Sequence, residues 1–258
     1  MIPQLKSIKP RPVRKVRIIS LNVDVISLED SILEVMDWGM SYTPSYVCFA
    51  NVHMLVEAHR NLTFRRQVNN ASMVLADGTP IVKSCYWMYG KTQERKAGMD
   101  FMPVILKAAN ESRASVFLYG SSEKVLEKMV ERIRQEYPLI NICGQISPPF
   151  REMTAHEQDA HIRQINFSGA NLVLVSLGCP KQEKWMADHS KRINAVLLGL
   201  GGAFSVFAGI RKRAPGWMQN SGLEWLYRLF QEPGRMFKRY LYTNTYFIFL
   251  LARKMINR

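Results

Sequence analysis

Two short runs limit the fold more than any other feature of this chain. Residues 172–177 (LVLVSL) and 195–200 (AVLLGL) are almost unbroken stretches of aliphatic side chains. A strand sends successive side chains to opposite faces, so a run without polar alternation must be covered on both sides. Helices packed on each face of a parallel sheet provide that cover. The rest of the chain supplies them. Residues 46–50, 73–76, 115–119 and 140–143 read as further strands, and 17–26 as a strand with polar interruptions. Helical spacing appears at 28–38, 53–69, 79–88, 121–135 and 154–165. Ser27 predicts an N-cap with Asp30 three residues on, and Ser121 predicts another cap. The alternation argues for an α/β fold with a mainly parallel sheet flanked by helices. In such sheets ligands bind in the loops that follow the carboxyl ends of the strands.

Charge divides the chain into three parts. The net charge is +14, and residues 1–17 hold six basic residues and no acid. Residues 211–258 hold ten basic residues against Glu224 and Glu232, so the middle is neutral. We therefore expect a basic flexible arm over 1–15, an α/β body over 16–210 and a basic, aromatic helical appendage over 211–258. Pro215 and Pro233 break the appendage into two or three helices. Basic ends on a neutral body favour a polyanion, either nucleic acid or an anionic membrane face. Trp217, Leu223, Trp225, Leu226, Leu229 and Phe230 share one helical face, with basic residues elsewhere, which suits a helix lying among lipid headgroups. Packing of these aromatics on the body would give the same spacing. No helix-turn-helix, RNA-binding or zinc-finger pattern supports nucleic acid. The four cysteines are scattered without a CxxC pair, and residues 1–15 lack an apolar signal segment. The late apolar run at 246–252 is too short to span a membrane. These features place the chain in the cytoplasm.

The strand ends carry small residues and a few polar ones. Asn51 and His53 follow the second predicted strand, and Asp77 and Gly78 the third. Gly120 follows the strand at 115–119, Gly178 and Gln182 the run at 172–177, and Gly201 and Gly202 the run at 195–200. Glycines permit close backbone approach, and the helix N-termini beyond them favour phosphate. The pattern reads as a nucleotide or diphosphate site assembled from several loops. Asp77 is either a general base or the N-cap of the helix starting near Pro80, and the pattern leaves both open. Asn51 either orients a substrate hydroxyl or caps its own helix. There is no GxGxxG after the first strand, no GxxxxGK[ST] loop and no Asp-x-Asp pair. A diphosphate here would be neutralised by Arg and Lys, with no metal and no cofactor.

The runs LADGTPIV (75–82), AGMDF (97–101), LGCPKQE (177–183), GLGGAFSVFAG (199–209) and RAPGWMQNSGLEWLYRLFQEPGRMFKRYL (213–241) occur in order. Together they resemble the WecG/TagA/CpsF glycosyltransferase family over residues 18–245. The resemblance implies a Rossmann-like body and an inverting, metal-independent transfer from a UDP-sugar to a polyprenyl-diphosphate-linked saccharide. The donor sugar would be N-acetylmannosamine, its uronic acid, or glucose. The setting would be the inner face of the cytoplasmic membrane, in cell-surface polysaccharide synthesis. Carried over by position, Asp77 would be the base and Asn51 would line the sugar site. Gln182 and the glycines would shape the nucleotide site. Asp100, inside AGMDF, joins the substrate-binding set, and Arg228 and Arg235 would reach the diphosphate from the appendage. Phe49 stands where the family often has Thr, and Ser205 where it often has Asp. The oligomeric state is left open, a homo-oligomer included. The rival class is a non-catalytic basic protein that binds nucleic acid or a membrane surface.

Overall fold

The computed structural model describes residues 14–256, apart from the side chains of Arg14, Asn220 and Arg235. The expected basic arm therefore lies outside the described residues as far as residue 13. Strands β1 (Arg14–Ile18) and β2 (Leu21–Val25) form an antiparallel hairpin. The sequence pattern predicts one strand over 17–26, but Ile19 adopts φ 53° and turns the chain. The polar interruption at Asp24 has a structural cause. Asp24 is fully buried and accepts a 2.7 Å hydrogen bond from the Val74 amide, while Lys15 Nζ lies 3.5 Å away. The hairpin is thereby clipped to the edge of the main sheet. Burial raises the Asp24 carboxyl above its ordinary pKa.

The main sheet has six parallel strands: β3 (Ser45–Ala50), β4 (Met73–Ala76), β5 (Ser115–Gly120), β6 (Asn141–Ile146), β7 (Leu172–Ser176) and β8 (Val196–Gly199). Their order is β4-β3-β8-β7-β5-β6. The unbroken apolar runs are its central strands, and the pleat divides their side chains. Val173, Val175 and Leu197 enter one buried cluster, and Leu172, Leu174, Val196 and Leu198 enter the other. Each such side chain contributes roughly 1.5–3 kcal/mol by leaving water. Helices α1 (Leu28–Met40), α5 (Gly98–Glu111), α6 (Glu123–Glu136) and α9 (Ala203–Phe207) cover one face. Helices α2 (Val52–Arg60), α3 (Leu62–Asn69), α4 (Thr79–Tyr89), α7 (Ala155–Phe167) and α8 (Lys181–His189) cover the other.

Local chemistry explains where the helices begin. Ser27 Oγ accepts from the Asp30 amide at 2.9 Å, as its spacing predicts. The single helix expected over 53–69 is two helices. Asn61 ends α2 and starts α3, and its Oδ1 accepts from the Phe64 amide at 2.9 Å. Ser121 is not the cap of α6. Its φ is 63° and its amide continues the sheet by bonding to the Ser176 carbonyl, so Ser122 occupies the cap position. Helix α5 escapes the sequence pattern because Pro103 lies inside it.

The appendage contains α10 (Gly216–Asn220), α11 (Glu224–Gln231) and α12 (Pro233–Ile256), with Pro215 and Pro233 at the helix starts. Helix α12 buries Met236, Phe247, Leu250 and Leu251. It docks on α2, where the Tyr246 and His59 rings meet at 5.8 Å and the Arg60 guanidinium covers Tyr242 at 5.4 Å. Helix α11 buries none of its residues. Among the described residues, no helix is long and apolar enough to cross a membrane.

Candidate active site

The loops after β3, β4, β7 and β8 surround a cavity of about 710 Å³ at the carboxyl ends of the strands, with α11 and α12 as its outer wall. Asn51 and Asp77 are placed by the backbone. The Asp77 amide bonds to the Ala50 carbonyl at 2.8 Å, joining the ends of β3 and β4. Asn51 caps its own helix and still faces the cavity. Its Oδ1 caps α2 by accepting from the Met54 amide at 3.1 Å, which leaves Nδ2 to donate to Asp77 Oδ2 at 3.4 Å. The cap fixes which end of the amide faces the carboxylate. Asp77 itself caps nothing, because Gly78 holds the cap position of α4 and no side chain bonds there. Burial raises the Asp77 pKa from 3.8 to about 6, against the opposing pull of the Arg228 guanidinium and the Asn51 amide. Glu224 adds to the rise and Arg95 opposes it.

The cationic wall comes from two sides. Arg228 projects from α11, and a Cβ on Gly202 would lie 2.7 Å from its Nη2. With no Cβ at position 202, that guanidinium lies directly against the turn after β8. Arg95, from the segment before α5, donates to Glu224 Oε2 at 2.6 Å and to Asp100 Oδ2 at 2.8 Å. Arg213 also pairs with Asp100, and Arg211 with Glu232. These ion pairs tie α11 and the chain before it to the body.

Gly78, Gly178, Gln182, Gly201, Gly202 and Arg228 line the cavity together with Asn51 and Asp77. Gln182 is buried, and its Oε1 accepts from the Leu177 amide at 3.4 Å. Gly120 and Asp100 are not part of the lining. The missing side chain of Gly120 serves the sheet, since a Cβ there would meet the Ser176 carbonyl oxygen at 2.3 Å. Asp100 is spent on Arg95 and Arg213. Arg235 lies in the first turn of α12, and its side chain is outside the described residues. Phe49 lines the cavity and packs edge-on against Phe101 at 5.1 Å, whereas Ser205 stands outside the lining. His53 lines it as a neutral ring, its pKa lowered to about 4 by burial and by Arg239. Among the described residues, no group of three or more His, Cys, Asp or Glu side chains is arranged to hold a metal ion.

Sequence reasoning missed Arg95, Glu224 and Arg239. Arg95 sits in an irregular stretch where periodicity is silent. Only its place two residues before AGMDF hinted at it.

The family model described as Glycosyl transferase WecG/TagA/CpsF family matches residues 16–258. The chain belongs to that family. This glycosyltransferase is also similar to a curated protein of Bacillus subtilis (strain 168), the N-acetylglucosaminyldiphosphoundecaprenol N-acetyl-beta-D-mannosaminyltransferase. The two are 35% identical over 188 residues, which is 72% of this chain and 71% of the relative. The cavity of the glycosyltransferase thus sets the Asp77 carboxyl, with its raised proton affinity, under the pull of the Arg228 guanidinium, and Arg95, Arg211 and Arg239 also line it. Such a site can accept a proton while it stabilises a departing anion.

Proposed function

We propose that this glycosyltransferase moves a sugar from a UDP-sugar to a polyprenyl-diphosphate-linked saccharide at the inner membrane face, with inversion. The placement of Asp77 carries the reading. Its carboxyl is held by Asn51, is pushed up to about 6 and faces the same cavity as Arg95 and Arg228. A base with that proton affinity is largely ionised near neutrality yet still basic enough to work. Asp77 takes the proton from an acceptor hydroxyl, and the oxygen attacks the anomeric carbon opposite the diphosphate. The bond from that carbon to the diphosphate oxygen breaks, and UDP leaves with the electron pair. Arg95 and Arg228 neutralise the leaving group, the role a divalent cation plays in other transferases. The relative's printed name supports N-acetylmannosamine as the sugar and N-acetylglucosaminyl-diphosphoundecaprenol as the acceptor.

The exposed apolar residues of the appendage support membrane docking. Trp217, Phe230, Phe237 and Leu241 are solvent-facing, in a segment whose sequence carries ten basic residues over 211–258. Aromatic and cationic side chains in that mixture suit a headgroup layer.

The test is release of UDP from UDP-N-acetylmannosamine with N-acetylglucosaminyl-diphosphopolyprenol. Asp77→Asn should lower kcat about 10²- to 10⁴-fold, the range of a positioned base. Full turnover by a folded Asp77→Asn protein would remove Asp77 from the base role. Absence of transfer from every UDP-sugar in the wild type would end the reading itself.

A further inference from the structure

The transfer brings two diphosphates to one cavity, that of the donor and that of the acceptor, and the cavity wall carries cations in two places. Arg228 lies against Gly202 after β8, near the paired Arg95 and Arg211. Asp77 follows β4, the edge strand, two strands from β8 and about 10 Å across the sheet. Helix α4 begins two residues after Asp77 and runs toward the hairpin beyond that edge, where the Tyr89 hydroxyl donates to the Arg17 carbonyl at 2.6 Å. Lys83 therefore stands on the flank of the cavity away from β8. It makes no ion pair among the described residues, whereas Arg95 and Arg211 are tied to Glu224 and Glu232. Pro80, Lys83 and Trp87 recur at helical spacing and turn one side of α4 to the cavity, and Tyr240, Asn244 and Ile248 do the same on α12. Trp87 is 51% exposed and Ile248 64%, so this part of the wall opens to solvent through apolar side chains.

We propose, on the transferase reading of this cavity, that Lys83 binds the acceptor's own diphosphate and that Trp87 and Ile248 receive the start of the lipid chain attached to it. Inversion requires the attacking oxygen and the departing UDP to lie on opposite sides of the anomeric carbon. With Arg228 at the leaving diphosphate near β8, the acceptor comes to Asp77 from the α4 flank. A second diphosphate packed beside the first would add like charge to like, so it needs a cation of its own. Lys83 supplies one as a compact point charge, which suits a phosphate that must also leave. Thr79 and Lys83 are about 6 Å apart along the helix axis, which gives a hexose ring room between the base and the diphosphate. Trp87 follows one turn later, where an apolar chain can stay out of water on its way to the bilayer.

Two acceptors separate the charge from the chain: N-acetylglucosaminyl-diphosphopolyprenol, and the same saccharide diphosphate on a short, water-soluble alkyl group. With UDP-N-acetylmannosamine as donor, Lys83→Ala should raise the KM of both acceptors at least about tenfold, and Lys83→Arg should recover most of that loss. The donor KM, and UDP affinity by calorimetry, should stay within about twofold of the wild type. Trp87→Ala and Ile248→Ser should raise KM at least about fivefold for the long-chain acceptor alone. All three side chains are exposed, so the variants should keep the wild-type thermal midpoint. A photoreactive group on the first isoprene unit gives a readout on the unaltered protein, and it should label the peptides that hold Trp87 or Ile248. An unchanged acceptor KM in Lys83→Ala, an equal rise in the donor KM, or label confined to other peptides would overturn the proposal. So would a Lys83→Ala protein that loses binding to anionic vesicles yet keeps its kinetics on the soluble acceptor, because Lys83 would then serve the bilayer surface. These results all presuppose transfer by the wild type. Its absence would end the transferase reading and this subsite with it.

Discussion

Asp77 carries a conflict between stability and work. Its pKa rises from 3.8 to about 6 in the folded protein, so the fold binds that proton more tightly than the unfolded chain does. The stability this contributes is complete below the unfolded value and is lost as pH climbs through about 6. At neutral pH the ionised carboxylate therefore strains the fold that houses it. Asp77→Asn removes the burden and should stabilise the protein by on the order of 1–2 kcal/mol above that range, read as a higher midpoint in urea. The same titration should shape the rate. kcat/KM rises through an acid limb centred near 6 and levels above it, if Asp77 must be ionised to act. A flat profile between mildly acid and neutral pH, or a destabilised Asp77→Asn, would separate the rate from this carboxyl.

Helix α11 holds its place by charge. None of its residues is buried, yet Glu224 reaches Arg95 at 2.6 Å and lies 3.9 Å from Arg213. Glu224→Gln should loosen α11 while the sheet stays intact. We expect roughly fivefold faster proteolysis within 211–232, the factor that about 1 kcal/mol makes, with an unchanged denaturation midpoint for the body. Equal proteolysis of both proteins would show that packing rather than charge holds the helix. The elements differ in how far sequence reveals them, for physical reasons. Strands β7 and β8 were legible because burial on both faces leaves no room for polar side chains. Ser27 and the two prolines of the appendage were legible because caps and breaks act within a few residues. The Asn61 break was not, since Asn inside a helical period looks the same whether it faces water or caps a new helix. Asn51 and Asp77 were legible as strand-end polar residues. Arg95 and Glu224 were not, because their meaning is a contact between segments far apart in the chain. Gly120 and Gly202 read alike in sequence, yet one lets β5 lie close against the Ser176 carbonyl of its neighbour β7 and the other has an arginine against it.

At the scale of the molecule, residues 18–210 are neutral and the appendage brings +8 of the +14 surplus together with exposed aromatic residues. Each basic residue close to an anionic surface contributes about 1 kcal/mol, and the contribution fades over a Debye length of about 10 Å at moderate salt. Sedimentation with vesicles should therefore show binding to anionic but not neutral lipid, weakened at least about tenfold by roughly 0.5 M salt. Replacing Trp217 and Phe230 with Ser should weaken it further through lost apolar insertion. Equal binding to neutral vesicles, or indifference to salt, would count against the appendage as a docking surface.

The cavity wall is shared: the sheet provides Asp77, and α11 and α12 close over it. Burial is the main cause of that carboxyl's raised pKa, and the appendage walls the cavity that it faces. Were the appendage to swing out, water would reach Asp77 and its acidity would return toward that of a free aspartate. The proposed base would then be weaker whenever the chamber stood open. Proton affinity at one strand end would in this way report the posture of a distant helix, and reactivity would be switched by wetting alone.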